Sequence, residues 1–339
     1  MADKHEILSL SEAMEGLPKD FGFFAERFTA SIQPALAGRE TDRVKAVKKQ
    51  RDFTVIGVVL AIAGTAIGFG VFQEPFGLAI GALAGFGMFA WGSSDITKLG
   101  KETKLMLVEP VAAQFNITYE LQPPPPADMT TFRSLDLVPG WDREKFEDRL
   151  TGLRNETPFE FYEAHLEEKR TTTDSKGRTS TTWVTVFKGQ CLVVKFHKQF
   201  RGVTKVYRDA GAFNFFKKLG QTGKAQRVKL EDPVFERAFE VYSTDQIEAR
   251  YILTPDFMER LIGLERTFKG KQVRCAFSGG EMYLACEGKD LLEPGSMQRK
   301  MDDLGRVREI LQDFAAIFLL IDAMSQRLTP DALRGGPSG

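Results

Sequence analysis

Between Phe53 and Trp91 the chain is almost free of charge, and this limits what it can fold into more than any other feature. Phe53 to Phe72 is a run of 20 residues without an ionisable side chain. As a helix, that run covers the ~30 Å hydrocarbon core of a bilayer. Gln73-Glu74-Pro75 follows, and then Phe76 to Trp91, 16 uncharged residues. The second run is slightly short for a span, and it crosses only with little tilt and some local thinning. Pro75 suits a turn or a helix start, and Trp91 suits the interfacial belt. The segment therefore reads as a transmembrane helical hairpin over 53–92. A re-entrant hairpin and a pair of buried core helices are the competing readings.

The flanks orient it. Arg39, Arg43, Lys45, Lys48, Lys49 and Arg51 precede the first run, Lys98, Lys101 and Lys104 follow the second, and the turn has no Lys or Arg. The positive-inside rule then puts both termini in the cytoplasm, which for a bacterial chain means an inner-membrane protein. Gly64 and Gly68, and Gly77, Gly81 and Gly85, recur every four residues. This spacing lines up small residues on one helix face and lets backbones approach. The glycines pack the two helices on each other in the simpler reading. In the sharper one they also drive self-association.

Formal net charge is zero, with 46 basic and 46 acidic residues. Gross charge therefore gives no reason to expect nucleic acid as a partner. The three cysteines, Cys191, Cys275 and Cys286, form no CxxC pair or regular framework, so neither a zinc ribbon nor a disulfide scaffold is expected. The first 20 residues lack a continuous apolar core, and no cleaved signal peptide is expected.

Residues 1–52 read as an amphipathic helical region, with Phe21, Phe24, Phe28, Ile32 and Leu36 at helical spacing and Pro34 near the end. It either lies on the membrane surface or packs on the rest of the protein. Residues 93–127 read as a helix from Lys98 to Phe115 with a break at Pro110, then a short strand Ile117–Leu121 and a four-proline linker, Pro123 to Pro126. Residues 128–328 read as a cytoplasmic α+β domain, and 329–339 as a disordered tail.

Within that domain Phe159–Glu168 and Thr182–Phe196 alternate as a long antiparallel hairpin around a polar turn at 173–178, with a third strand at Val203–Tyr207. Asp232-Pro233 starts a helix over VFERAFEVY, and Thr254-Pro255 starts another. Gly279-Gly280 turns a tight hairpin that puts Val273, Cys275, Phe277, Met282, Leu284 and Cys286 on one face, so the cysteines read as small core residues. A long helix runs from Ser296 to Arg327. The expected fold class is α+β: a two-helix transmembrane hairpin, then an antiparallel sheet with helices on one face and the long C-terminal helix.

Phe187-Lys188-Gly189, Leu230-Glu231-Asp232, Phe235, Phe239, Val241-Tyr242-Ser243, Asp245, Glu248 to Pro255, Met258 and Tyr283-Leu284-Ala285 resemble a bacterial domain-of-unknown-function family, number thirty-one thirty-seven. The run Val241–Pro255 is the most specific part. The resemblance extends over roughly 95–325 and includes the preceding hairpin. It implies one or two spans followed by a cytoplasmic α+β domain, and it implies no activity.

No phosphate-binding loop, nucleophile elbow, metalloprotease helix, dinucleotide fingerprint or kinase set occurs, so the sequence points away from an enzyme, and no cofactor or metal is expected. Glu163, His165 and Glu167 share one face of a strand and read as an outer face, with a metal or proton-sharing site as the alternative. Asp245, Glu248 and Arg250 read as a cap or ion pair. The strongest chemical signal is charge segregation. Residues 195–229 hold ten Lys or Arg against one acid, and 230–259 hold eight acids against two Arg. Lys195, Lys198, Arg201, Lys205, Arg208, Lys217 and Lys218 are the candidate surface for anionic lipid or another polyanion. Internal complementarity with the acidic stretch is the simpler account. The expected function is a membrane-tethered interaction or scaffold module, with the bilayer and another protein as partners.

Overall fold

In the computed structural model, residues 10–68, 76–195, 200–208, 225–267 and 271–325 are described. The chain divides into two compact units, Met1–Val111 with Leu292–Gln312, and Ala112–Leu291 with Asp313–Gly339.

The first unit is helical: α1 (Leu10–Met14), α2 (Gly22–Arg27), α3 (Gln33–Gly38), α4 (Glu40–Ile67) and nearly all of α5 (Phe76–Gln114). Residues Phe28–Ile32 form a π turn between α2 and α3. The apolar spacing accounts for it. Phe24, Phe28, Ile32 and Leu36 recur every four residues, and on a 3.6-residue helix each step drifts by roughly 40°. A wider π turn takes back part of that drift. Phe21 and these four side chains are at most 5% exposed. The stripe is thus used inside the protein and is not left free for a membrane surface.

The sequence places a break at Pro110, but α5 runs through it. Leu107, Val108, Val111 and Ala112 around it are all buried, and their packing offsets the lost backbone bond. The segment before the last helix also departs from expectation. The helix read as starting at Ser296 starts at Leu304, as α10 (Leu304–Ser325) in the label order below. The reason is Arg306, which is fully buried. Its guanidinium donates to the carbonyl oxygens of Pro294, Ser296, Arg299 and Lys300, the last three of which a helix from Ser296 would otherwise have used. Arg43 donates to the Met297 carbonyl at 3.0 Å, and Glu40 accepts from the Met301 N–H at 3.0 Å, pinning the same loop to α4.

The second unit is α+β. Among the described residues its strands are β1 (Thr118–Glu120), β2 (Arg143–Arg154), β3 (Thr157–Thr173), β4 (Thr179–Lys195), β5 (Thr204–Arg208), β6 (Gln226–Val228), β7 (Phe239–Ser243), β8 (Lys271–Ser278) and β9 (Glu281–Glu287). They form one antiparallel sheet in the order β1-β2-β3-β4-β9-β8-β5-β7-β6. Its short helices are α6 (Met129–Ser134), α7 (Pro233–Ala238), α8 (Gln246–Ile252) and α9 (Pro255–Thr267). The four prolines fall inside this unit, between β1 and α6.

Both faces of the sheet centre are covered, not one. Cys191 to Val194 and Met282 to Cys286 are buried without interruption, which alternation permits only if each face has a lid. On one face Tyr162, Ala164, Phe187, Val193 and Tyr283 pack under Phe132, Leu135 and Leu137, supplied by α6 and the loop after it. On the other, Phe200 and Phe257 stack edgewise on Phe277. The β8–β9 register puts Cys275 opposite Leu284 and Phe277 opposite Met282, as read from the Gly-Gly turn, and Gly279 and Gly280 both have positive φ. The opposite face of this hairpin is covered too, and it carries buried Ala276, Tyr283 and Ala285.

Two further readings are corrected. VFERAFEVY is not one helix: α7 ends at Ala238 and β7 begins at Phe239. There Phe239, Val241 and Ser243 alternate inward and pair with β5 and β6. Residues 129–134 and 143–154, assigned no element, form α6 and β2. Of the last expected helix, residues 326 and 327 lie outside the described residues, as does the tail.

Candidate functional site

The pair α4–α5 is built by glycine. A Cβ on Gly57 would lie 2.8 Å from the Gly85 carbonyl oxygen, and one on Gly81 would lie 2.8 Å from that of Ala61 and 3.3 Å from the Gly64 Cα. Gly57 opposite Gly85 and Ala61 opposite Gly81 describe two antiparallel helices in backbone contact. Gly64, Gly81 and Gly85 sit in this seam. Gly68 follows the last turn of α4 and Gly77 lies in the first turn of α5. Gly57 was not singled out from sequence, although its four-residue step to Ala61 carried the same signal.

Because small residues occupy the seam, the large ones face outward. Val55, Val58, Val59, Ile62 and Ile67 of α4, and Ile80, Leu83, Phe86 and Trp91 of α5, are 53–72% exposed. Among the described residues one helical stretch, Lys19–Ile67, is long and apolar enough to cross a membrane. At the charged end of the band Phe53 meets Trp91 edge to face at 5.1 Å, Lys49 lies 5.9 Å above the Trp91 ring, and Lys49 pairs with Asp95 at 2.9 Å.

The basic segment looks different in space. Lys198, Lys217 and Lys218 lie outside the described residues. Lys195 pairs with Glu281 at 3.3 Å, Lys205 with Asp136 at 2.8 Å and Arg227 with Glu240 at 3.4 Å. Arg208 lies 6.0 Å over the Phe239 ring, and the Arg201 backbone N–H donates to Glu248. The structure therefore sets Lys195, Lys205, Arg208 and Arg227 against acids or a ring from several elements, of which the 230–259 stretch supplies only part.

Glu163, His165 and Glu167 do share a strand face, but each has a separate environment. Glu167 pairs with Arg143 at 2.5 Å, and His165 Nε2 meets the Thr185 hydroxyl at 2.8 Å. Glu163 is 5% exposed; it accepts from the Leu291 N–H at 2.5 Å and from the Gln190 amide at 3.3 Å. Burial first, and then the nearby Asp148 charge, hold its carboxyl well above the ordinary range. The oxygen of the Gln190 amide is buried without a hydrogen-bond partner. Among the described residues no group of three or more potential metal ligands occurs. The cysteines are all buried, and burial pushes the Cys191 and Cys275 thiols far above their usual value, toward the inert neutral form.

In the second acidic cluster, Asp245 caps α8 by accepting from the Ile247 and Glu248 N–H groups. Glu248 in turn accepts from the backbone of Arg201 and Gly202. Arg250 donates to the Gln246 carbonyl. This cluster is local scaffolding that fixes the loop before β5.

The β3–β4 hairpin supplies an arm. β2 pairs with β3 only as far as Glu167, and β9 pairs with β4 only from Gly189 onward. From Arg170 to Val186 the two strands pair with no other strand among the described residues, and both outer edges are open there; at the base of the arm the Lys169 N–H donates to Asp142 and the Lys188 carbonyl accepts from the Gly288 N–H.

Comparison with known proteins adds little about activity. No curated protein matches the chain. A solved structure, that of the mycobacterial trehalose monomycolate transport factor A, TtfA, is similar over 67% of this chain and 96% of that one. Its TM-score is 0.30 and its identity 10%, too slight a likeness to show a common fold. Residues 185–326 match the family described as Protein of unknown function (DUF3137). The match leaves out residues 95–184 and the apolar helices, which the resemblance had taken in. From Thr185 in β4 to just past the end of α10, the chain carries the pattern of the DUF3137 family.

Proposed function

We propose that the chain is a membrane-tethered interaction module. The apolar parts of α4 and α5 insert as a hairpin with both ends on the cytoplasmic side, and the α+β unit docks another protein. The observation that carries this reading is the band of large apolar side chains left exposed on both helices around a glycine seam. In water such a band would cost roughly 25 cal/mol per Å² of apolar surface, whereas lipid removes the cost. The absence of Lys and Arg from the connecting turn, against nine on the flanks, supports the orientation. The open edges of the β3–β4 arm support docking by strand addition, which draws affinity from main-chain hydrogen bonds.

An alkaline phosphatase fusion at Glu74 is expected to be active and one after Ser325 silent, with the protein resisting alkaline carbonate extraction. A silent Glu74 fusion would refute the hairpin. For the docking limb, cross-linked pull-down from native membranes is expected to yield a stoichiometric protein. That protein should be lost when residues 169–183 are replaced by an Asn-Gly turn. Recovery of the same protein with the shortened arm would refute docking through it.

A further inference from the structure

At the charged end of the α4–α5 pair lies an open crevice of about 480 Å³, lined by Arg39 just before α4, by Asp42, Lys45 and Lys49 of α4, and by Asp95, Lys98 and Glu102 of α5. Ala46 and Leu99, both 5% exposed, form its floor. In the sequence these cations mark only the topology. The spacing of 42, 45, 46 and 49 on one helix, and of 95, 98, 99 and 102 on the next, makes them walls of one cleft.

Its cations are unequally held. Lys49 is tied to Asp95 at 2.9 Å, and Arg39 lies 3.3 Å from Glu102 and 3.5 Å from Asp42. Lys98 has its carboxylate at 4.0 Å and a side chain 79% exposed. Lys45 is exposed and makes no ion pair among the described residues. Two ammonium groups are thus available to a ligand, and the neighbouring acids hold the remaining cations in place. Height along the helices places the site. At 1.5 Å per residue, Lys49 lies ~6 Å beyond Phe53 and Lys45 ~12 Å beyond it, while Lys98 lies ~10 Å beyond Trp91. The headgroup layer of a bilayer is about 5–8 Å deep on each side of the hydrocarbon core, so Lys49 lies within it and the backbones of Lys45 and Lys98 lie roughly 2–7 Å outside it, a gap that a four-carbon side chain and a headgroup reaching out of the layer can close.

We propose that this crevice binds the phosphate ester of an anionic lipid headgroup, held between Lys45 and Lys98. The inference rests on the hairpin reading above, because only an inserted α4–α5 pair puts the crevice at headgroup height. A crevice of this volume accepts one headgroup, and cations at the membrane surface attract anionic lipid.

The test uses the full-length protein in mixed phosphatidylcholine and phosphatidylglycerol micelles, with retention of phosphatidylglycerol read by native mass spectrometry. Lys45→Ala with Lys98→Ala is expected to lower retention about tenfold or more. Lys48→Ala with Lys101→Ala removes the same charge from the same two helices outside the crevice, and retention is expected to change less than about twofold. Equal losses from both pairs would reduce the effect to general surface charge and overturn the site, as would no loss from the first pair. Millimolar inorganic phosphate is expected not to displace the lipid. Displacement, with phosphate itself stabilising the lipid-free protein, would reassign the crevice to a soluble phosphate ester. Carbonate extraction of the wild-type chain separates the two readings. A protein that stays in the pellet but shows no selective retention refutes the crevice alone, and one that is released refutes the hairpin.

Discussion

Replacing Glu163 by Gln is expected to stabilise the protein at pH 8 and to leave it unchanged at pH 4. Glu163 is buried between strands with its pKa held well above the ordinary value, chiefly by desolvation. In the unfolded chain the group ionises near 4.3. Between that value and the raised folded value, the folded state binds the proton that the unfolded state has released. Stability therefore falls as pH rises through this window, and it is fully present below it. A glutamine at this position carries no charge at any pH, so it escapes that fall. Its carbonyl can still accept from the Leu291 N–H, and its amide offers a donor to Gln190 Oε1, which has no partner beside the carboxylate. At pH 4 the protonated carboxyl can make the same donation, and the two side chains are then equivalent. The advantage at pH 8 is therefore the free energy the unfolded chain gains by releasing the proton, about 1.4 kcal/mol for each pH unit between its ionisation near 4.3 and the folded value or pH 8, whichever comes first. In a unit of this size each kcal/mol moves Tm by about 2–4 °C. Thermal melts of the full-length protein in detergent, followed by tryptophan fluorescence at pH 4 and pH 8, read the difference directly. Glu163→Leu is the control: it leaves the Leu291 N–H unmet and is expected to cost about 1–3 kcal/mol at both pH values. The reasoning is refuted if the Gln variant melts below wild type at pH 8, or if its advantage does not change with pH.

Arg306→Ala removes the donor for four carbonyls and is expected to cost about 3–5 kcal/mol, with residues 294–303 becoming sensitive to limited proteolysis. Gly85→Leu puts a branched side chain where even a Cβ meets the Gly57 backbone. It is expected to lower the Tm by several degrees, whereas Gly87→Leu, whose Cβ position is open, should not. Asp232→Ala and Asp245→Ala each remove a side chain that accepts two helix N–H groups, and each is expected to cost about 0.5–2 kcal/mol in urea titration.

How much was legible depended on whether a signal was local. The Gly279-Gly280 hairpin, the caps at Asp232 and Asp245, and the buried stripe from Phe21 to Leu36 follow from residues within one or two turns of each other. β2 was not legible, since REKFEDRLTGLR carries charges on both edges of its alternation. Its strand state comes from pairing with β3, and its bulge at Asp148, with φ of 56°, rests on a bond from the Tyr119 hydroxyl. The start of α10 was hidden for a similar reason, because carbonyls that a helix from Ser296 needed are taken by an arginine up to ten residues later. The candidate surfaces divide in the same way. The exposed helix band was visible as uncharged runs, whereas the ion pairs that engage Lys195 and Lys205 join segments 86 and 69 residues apart, beyond any spacing rule.

The open β3–β4 arm bears on self-recognition. A strand edge that can receive a foreign strand can equally receive its own copy, which is the start of aggregation. From Lys169 to Thr185 the arm carries Lys169, Arg170, Lys176 and Arg178 against Asp174 alone, a net charge of +3. Two such arms laid edge to edge repel, and a strand bearing carboxylates meets no such barrier. If the arm docks a strand as proposed, its charge would favour an acidic strand from elsewhere over a second copy of itself.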